Sequence, residues 1–167
     1  MCIRDRWCTY TAPEVAHVGL YERDVAERGL RCDTFTTALA HNDRAILEGA
    51  TDGFVKVHVR RGTDEILGAT VVAEHAGEMI SELTLAIQNK IGLRAVGRTI
   101  HPYPTVAEAI QGCGVAYNRT VWKRWRAAPT AAAARRARPA AAKAERARAR
   151  SPRSSRAPFS ARERPWR

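Results

Sequence analysis

The chain has four cysteines, and no two of them are spaced as a pair. Cys2, Cys8, Cys32 and Cys113 leave no C-x-x-C anywhere, whereas zinc ligands come in tight pairs. A disulfide framework is not expected at this density, so the cysteines read as free thiols in a reducing compartment, cytoplasm or an organellar matrix. No apolar run approaches the roughly 20 residues that span a bilayer. The N-terminus lacks the charged-then-apolar order of a secretory signal. A phosphate loop G-x-x-x-x-G-K-[ST], an H-E-x-x-H and a G-x-S-x-G are all missing, which removes three common catalytic readings. No repeat of 20 to 50 residues is visible.

A net charge of +11 suggests a nucleic-acid binder, but its distribution argues otherwise. From Val121 onward there are 15 Lys and Arg against 2 Asp and Glu, which leaves 13 against 15 in the first 120 residues. The basic character belongs to the tail, and the body is near neutral. That tail, residues 121–167, is dominated by Ala, Arg, Pro and Ser. It lacks the branched apolar residues that offset ordering entropy, so disorder is expected. At the other end "MCIRDR" has neither periodicity nor a helix cap and matches translated sequencing adaptors. Residues 1–7 are therefore expected to be a non-native or disordered start, with the true chain continuing upstream.

Between these ends, residues 8–120 read as one globular domain. "EVAHVGL" (14–20) and the Thr-rich "CDTFTTAL" (32–39) have strand character. "YERDVAERG" (21–29) reads as a short helix closed by Gly29. "FVKVHVR" (54–60) has the clearest period of two, with Val55, Val57 and Val59 on one face and Lys56, His58 and Arg60 on the other. "RGTD" turns the chain, and "EILGATVVAE" (65–74) returns as a nearly continuous apolar strand, expected at the centre of its sheet. Helical spacing follows at 76–91, where Met79, Ile80, Leu83, Ile87 and Ile91 form one stripe. A second helix is expected over 105–118, with Val106, Ile110, Cys113 and Tyr117 on one side. Paired strands followed by helices indicate an α+β domain, an antiparallel sheet with helices packed on it.

Chemistry-bearing residues are few. "GCGVAY" (112–117) has two of the three glycines of a dinucleotide fingerprint, but it lies inside a helical pattern and follows no strand. The histidines are isolated in sequence, with no metal ligand set among them. His58 is expected on an exposed strand face and His75 at a strand-to-helix junction, both structural. "HPYPTVAE" (101–108) is the informative stretch. Pro104 holds Tyr103 extended, and Thr105 with Glu108 forms an S/T-x-x-E capping box. On spacing alone this is a helix start, yet a rigid segment entering a capped helix also holds Tyr103 at a fixed place.

With those residues in view, "YTAPEVAHVGLYE", "GFVKVHV", "ILGATVVAEHAGEMISELTLAI" and "IHPYPTVAEAI" together resemble the C-terminal dimerisation domain of the pyridine nucleotide-disulfide oxidoreductases. The likeness runs from about Cys8 to Arg119 and is nearest to the mercuric reductase-like branch. It implies a homodimeric enzyme with FAD- and NAD(P)-binding domains upstream, this chain alone binding neither cofactor. In that family a His-Pro-Thr-x-x-Glu segment enters the neighbouring subunit's active site beside the flavin. The resemblance then implies catalytic roles for Tyr103 and Glu108, and contact of His101, Pro102 and Tyr103 with the partner's FAD. Here Tyr103 stands where the family pattern has histidine, and His101 lies two residues early.

A tyrosine ionises near 10 and is a poorer proton shuttle at neutral pH than a histidine near 6.5. It can still donate a hydrogen bond to a thiolate, a flavin or a metal ligand. Mercuric reductases resemble the chain in carrying Tyr there but also have adjacent cysteines near the C-terminus, which this sequence lacks, so Hg(II) reduction is not implied. The stripe on 76–91 has two readings, burial against its own sheet and a dimer interface. The rival function is nucleic-acid or acidic-partner binding through the tail, where "WKRWR" (122–126) interleaves aromatics with cations and "SPRSSR" is an Arg/Ser segment. Such binding is salt-sensitive and sequence-blind.

Overall fold

Residues 6–127 are described in the computed structural model. Two strands open the chain, β1 (Arg6–Thr9) and β2 (Glu14–Gly19), followed by the short helix α1 (Glu22–Glu27). Strand β3 (Cys32–Ala38) leads through a 3₁₀ turn at Leu39–His41 into α2 (Asp43–Glu48). Strands β4 (Phe54–Arg60) and β5 (Ile66–Ala73) form a hairpin, and α3 (Ala76–Gln88), α4 (Leu93–Val96) and α5 (Glu108–Ala127) complete the order. The body closes at Trp125, and of the second compact unit, residues 126–167, only Arg126 and Ala127 are described.

The strands make one five-stranded antiparallel sheet in the order β1-β2-β5-β4-β3, with the apolar β5 at its centre as its composition predicts. Register places apolar rows on one face. Ala16, Val71 and Val55 line up across β2, β5 and β4, and Val18, Ala69 and Val57 form the next row. Against them α3 packs Met79, Ile80, Leu83 and Ile87, all buried, while α5 contributes Ile110 and Cys113. Each such aliphatic side chain contributes roughly 1.5–3 kcal/mol on full burial, so this face carries most of the stability. The α+β expectation holds. Ile91 leaves the stripe: α3 stops at Gln88, Lys90 takes a positive φ of 56°, and Ile91 is exposed.

The opposite face is polar. His17, Thr70, Lys56 and Thr36 form one cross-strand row, and Gly68, His58 and Thr34 stand in the next. Here one expectation fails: His58 is 3% exposed, not on an open face. Strand alternation told which side His58 is on but not what covers that side. Thr34 donates its hydroxyl to Glu22 of α1 at 2.6 Å and meets His58 Nδ1 at 3.0 Å. Leu20 crosses so near Gly68 that a side chain there would strike its backbone. His17 is also buried, between Thr70 Oγ1 at 2.9 Å and the Gly19 carbonyl at 3.1 Å, with Tyr21 stacked on it at 3.7 Å.

The ends differ from expectation too. Arg6 and Trp7 already belong to β1, so order begins before Cys8. At the far end α5 runs through Ala127, nine residues beyond the expected limit at 118, because no glycine or proline interrupts the sequence between Gly114 and Pro129. "WKRWR" therefore lies on a helix, with Trp122 and Trp125 exposed, while "SPRSSR" and the rest of the tail lie outside the described residues. Among the described residues no helix is long and apolar enough to cross a membrane.

Candidate functional site

Glycine decides where the segment 98–107 is held. Gly97 ends α4 and Gly114 lies within α5, and a Cβ on either would collide with the backbone of the other. This approach brings α4 and α5 together and fixes both ends of the intervening loop. The two glycines of "GCGVAY" thus serve packing: Gly114 faces Gly97, and Gly112 sits against the Thr37 side chain.

Within the loop, three helices hold the backbone and side chains. From α5, Gln111 Nε2 donates to the Thr99 carbonyl at 2.7 Å. From α3, Glu82 binds His101 Nε2 at 3.0 Å, while His101 Nδ1 meets the Thr99 carbonyl at 3.1 Å. The His101 side chain is only 6% exposed. From the start of α2, Asn42 Nδ2 donates to the Thr105 carbonyl at 3.0 Å. The backbone between these points carries Ile100 at 92% exposure and Tyr103 at 71%, and Pro102 is exposed as well.

The expected capping box forms by half. Glu108 Oε2 accepts the Thr105 N–H at 3.0 Å, but the Thr105 hydroxyl donates to the Pro102 carbonyl at 2.9 Å. Val106 and Ala107 therefore make a turn with i→i+3 bonds, and α5 proper begins at Glu108 and not at 105. The Tyr103–Pro104 peptide is cis. Tyr103 donates its hydroxyl to Asp43 Oδ2 at 2.8 Å. That bond, the Asp43 charge, and more weakly burial and Glu108 raise its phenol above the ordinary tyrosine value.

Tyr103 and Glu108 thus line one shallow groove of about 260 Å³, with Thr37, His41, Asp43 and Gly112 around them. His101 is not in that groove; its ring turns inward to Glu82. Sequence reasoning missed Asn42, Asp43 and Glu82. Asn42 had a signal, since "NDRAILEG" begins with a good N-cap residue and ends on a glycine, here in the left-handed region at φ 70°. The thiol of Cys113 is buried, touches Thr37 Oγ1 at 3.3 Å, and is pushed up by burial, so it is chemically quiet.

Residues 6–113 match the family described as pyridine nucleotide-disulphide oxidoreductase, dimerisation domain. Mercuric reductase of Streptomyces lividans is 41% identical over 103 residues, covering 62% of this chain and 22% of that protein. Mitochondrial dihydrolipoyl dehydrogenase of Sus scrofa is 37% identical over 107 residues, 64% of this chain and 21% of that one. Among solved structures, LpdA from Mycobacterium tuberculosis superposes with a TM-score of 0.65 at 29% identity, covering 70% of this chain and 26% of that chain. The Cu(II) complex of the HOCl-induced flavoprotein disulfide reductase RclA from Escherichia coli shares the fold, with a TM-score of 0.65 at 21% identity over 69% of this chain and 26% of that chain. The chain spans about a fifth of the length of the curated relatives it matches.

Proposed function

The chain belongs to the pyridine nucleotide-disulphide oxidoreductase family, as its dimerisation domain, and from that premise we propose that it pairs two subunits of a FAD- and NAD(P)-dependent enzyme and presents Tyr103 and Glu108 to the partner's flavin. His101 and Pro102 belong to the same contact, Pro102 at the surface and His101 as its anchor. The observation that carries this reading is the contrast within segment 99–105. Its frame is tied to three helices, yet Ile100 and Tyr103 are left in solvent. On this reading the partner subunit covers both side chains on association, so the anchored frame serves to hold them in place for it.

The residues fit an edge contact with a flavin, not a pocket for one. The groove beside Tyr103 is smaller than an ordinary ligand site, and Asp43 and Glu108 would face any pyrophosphate with like charge. Bound FAD supplies two-electron transfer between a nicotinamide and a disulfide-type acceptor. This chain's own contribution is to pair, to position the segment and to shield the site from water.

Sedimentation velocity of the 167-residue chain tests the pairing. Concentration-dependent dimers are expected, and a chain that stays monomeric at high micromolar concentration rejects the proposal. The flavin contact is read in the FAD-loaded enzyme that carries this domain. Tyr103→Phe and Glu108→Gln should each shift the flavin's absorbance or midpoint potential, and unchanged values for both remove the contact.

A further inference from the structure

Asn42 and Asp43 open α2 beside the Tyr103 segment, and their side chains do different things. Asn42 is buried; its Oδ1 accepts the Ala45 N–H at 3.0 Å and its Nδ2 ties the Thr105 carbonyl, also at 3.0 Å. Asp43 is exposed and takes the Tyr103 hydroxyl at 2.8 Å. Glu108, which the family pattern pairs with position 103, is engaged elsewhere, its Oε2 accepting the Thr105 N–H. We infer that Asp43, not Glu108, orients Tyr103, and that by taking the phenol's proton in a hydrogen bond it presents Tyr103 to its ligand as an acceptor.

A phenol has one proton and two lone pairs. Donation to a carboxylate is a charge-assisted bond, stronger than the one a neutral acceptor makes. With the proton committed to Asp43, what remains for the outer side of the ring oxygen is a lone pair. The ligand chemistry that suits it is an N–H or S–H donor, such as a protonated thiol. A bare thiolate needs a donor and is disfavoured there. On this inference Tyr103 accepts from its ligand, where the sequence reading has it donating to a thiolate, a flavin or a metal ligand. Asp43 is a positioning residue: it acts through Tyr103, and Asn42 beside it keeps α2 registered on Thr105.

The consequence for catalysis rests on the proposed placement of Tyr103 at a partner's flavin, but the Tyr103–Asp43 bond itself belongs to this chain and is tested on it. The charged and titratable groups facing Tyr103 are Asp43 on α2, His41 in the preceding turn and Glu108 on α5. Ultraviolet titration of the 167-residue chain and its Tyr103→Phe variant isolates the Tyr103 phenol by difference. The expected midpoint lies above that of an ordinary tyrosine. Asp43→Asn should move it to lower pH, by more than Glu108→Gln does, and Asp43→Ser should act likewise while keeping a short polar residue at the start of α2.

A midpoint insensitive to both Asp43 substitutions, or more sensitive to Glu108→Gln, overturns the inference. Where unfolding intervenes at high pH, the ring Cζ chemical shift of Tyr103 at neutral pH decides the matter: it moves in Asp43→Asn if the bond exists and stays if it does not. Sedimentation on the same samples separates the two ideas. A monomer with a shifted midpoint keeps the Tyr103–Asp43 bond and removes the dimer, and a dimer with an unshifted midpoint does the reverse.

Discussion

Gly97 and Gly114 touch backbone to backbone, leaving no room for a side chain on either. Gly114→Ala is therefore expected to destabilise despite placing a better helix former inside α5. Alanine returns roughly 1 kcal/mol of helix propensity, while overpacking costs about 1–3 kcal/mol. Here the obstacle is backbone that cannot rotate away, so the upper end applies and the net loss is about 2 kcal/mol. Gly112→Ala meets the movable Thr37 side chain and should cost less. Urea denaturation of both variants checks the order, and equal stability of Gly114→Ala and the parent would refute the contact.

His58 sets a pH dependence. Burial is the largest influence on its ring and lowers its pKa; Glu22 opposes this, and Lys56 and His17 add to it. A folded pKa below the unfolded value near 6.5 means that the unfolded chain binds the proton first as pH falls. The contribution of the neutral, Thr34-bonded ring is thus complete above the unfolded pKa. It declines as pH drops through that value toward the folded one. His58→Gln removes this titration, so the stability gap between parent and variant should narrow from about pH 7.5 to about pH 5. A gap constant over that range, measured by denaturant titration, contradicts the assignment.

These buried contacts also mark how far the sequence could be read. Strands β2, β4 and β5 and helix α3 were legible because alternation and 3.6-residue spacing are local properties. Strand β1, with four residues at a sheet edge, and α4, with four residues against α5, exist through tertiary contact and carry almost no local signal. The site divides in the same way. The proline flanks announced a held Tyr103, and Glu108 was found at the helix start. Asp43, 60 residues away in sequence, and Glu82, 19 residues from His101, became visible only when the helices were packed.

Leu85 is 59% exposed on α3, beside a groove lined by Arg6, Trp7, Ser81 and Gln88. If α3 supplies the dimer contact, Leu85→Glu should leave the fold intact and weaken the dimer. A two-fold interface uses the residue twice, and each leucine, partly covered already in the free chain, loses somewhat less than the roughly 1.5–3 kcal/mol of full burial. The dimer Kd should therefore rise at least tenfold, about 1.4 kcal/mol. Unchanged circular dichroism with a shifted sedimentation isotherm is the expected pair of results. An unaltered isotherm places the interface elsewhere on the surface.

Glu82 is expected to matter to the exposed segment although it lies beneath it. Its carboxylate holds His101 Nε2, and among the described residues the imidazole's other hydrogen bond runs from Nδ1 to the Thr99 carbonyl two residues away. Glu82→Ala leaves a nearly buried ring nitrogen without its partner, a loss of about 1–3 kcal/mol; Glu82→Gln keeps an acceptor and should lose less. The more telling readout is local. Backbone ¹⁵N order parameters of Ile100, His101 and Tyr103 should fall in Glu82→Ala and stay near the parent's in Glu82→Gln, while residues of β4 and β5 are unaffected. Equal order parameters in all three proteins would mean that Gln111 and Asn42 suffice to hold the loop, and that His101 contributes packing without anchoring.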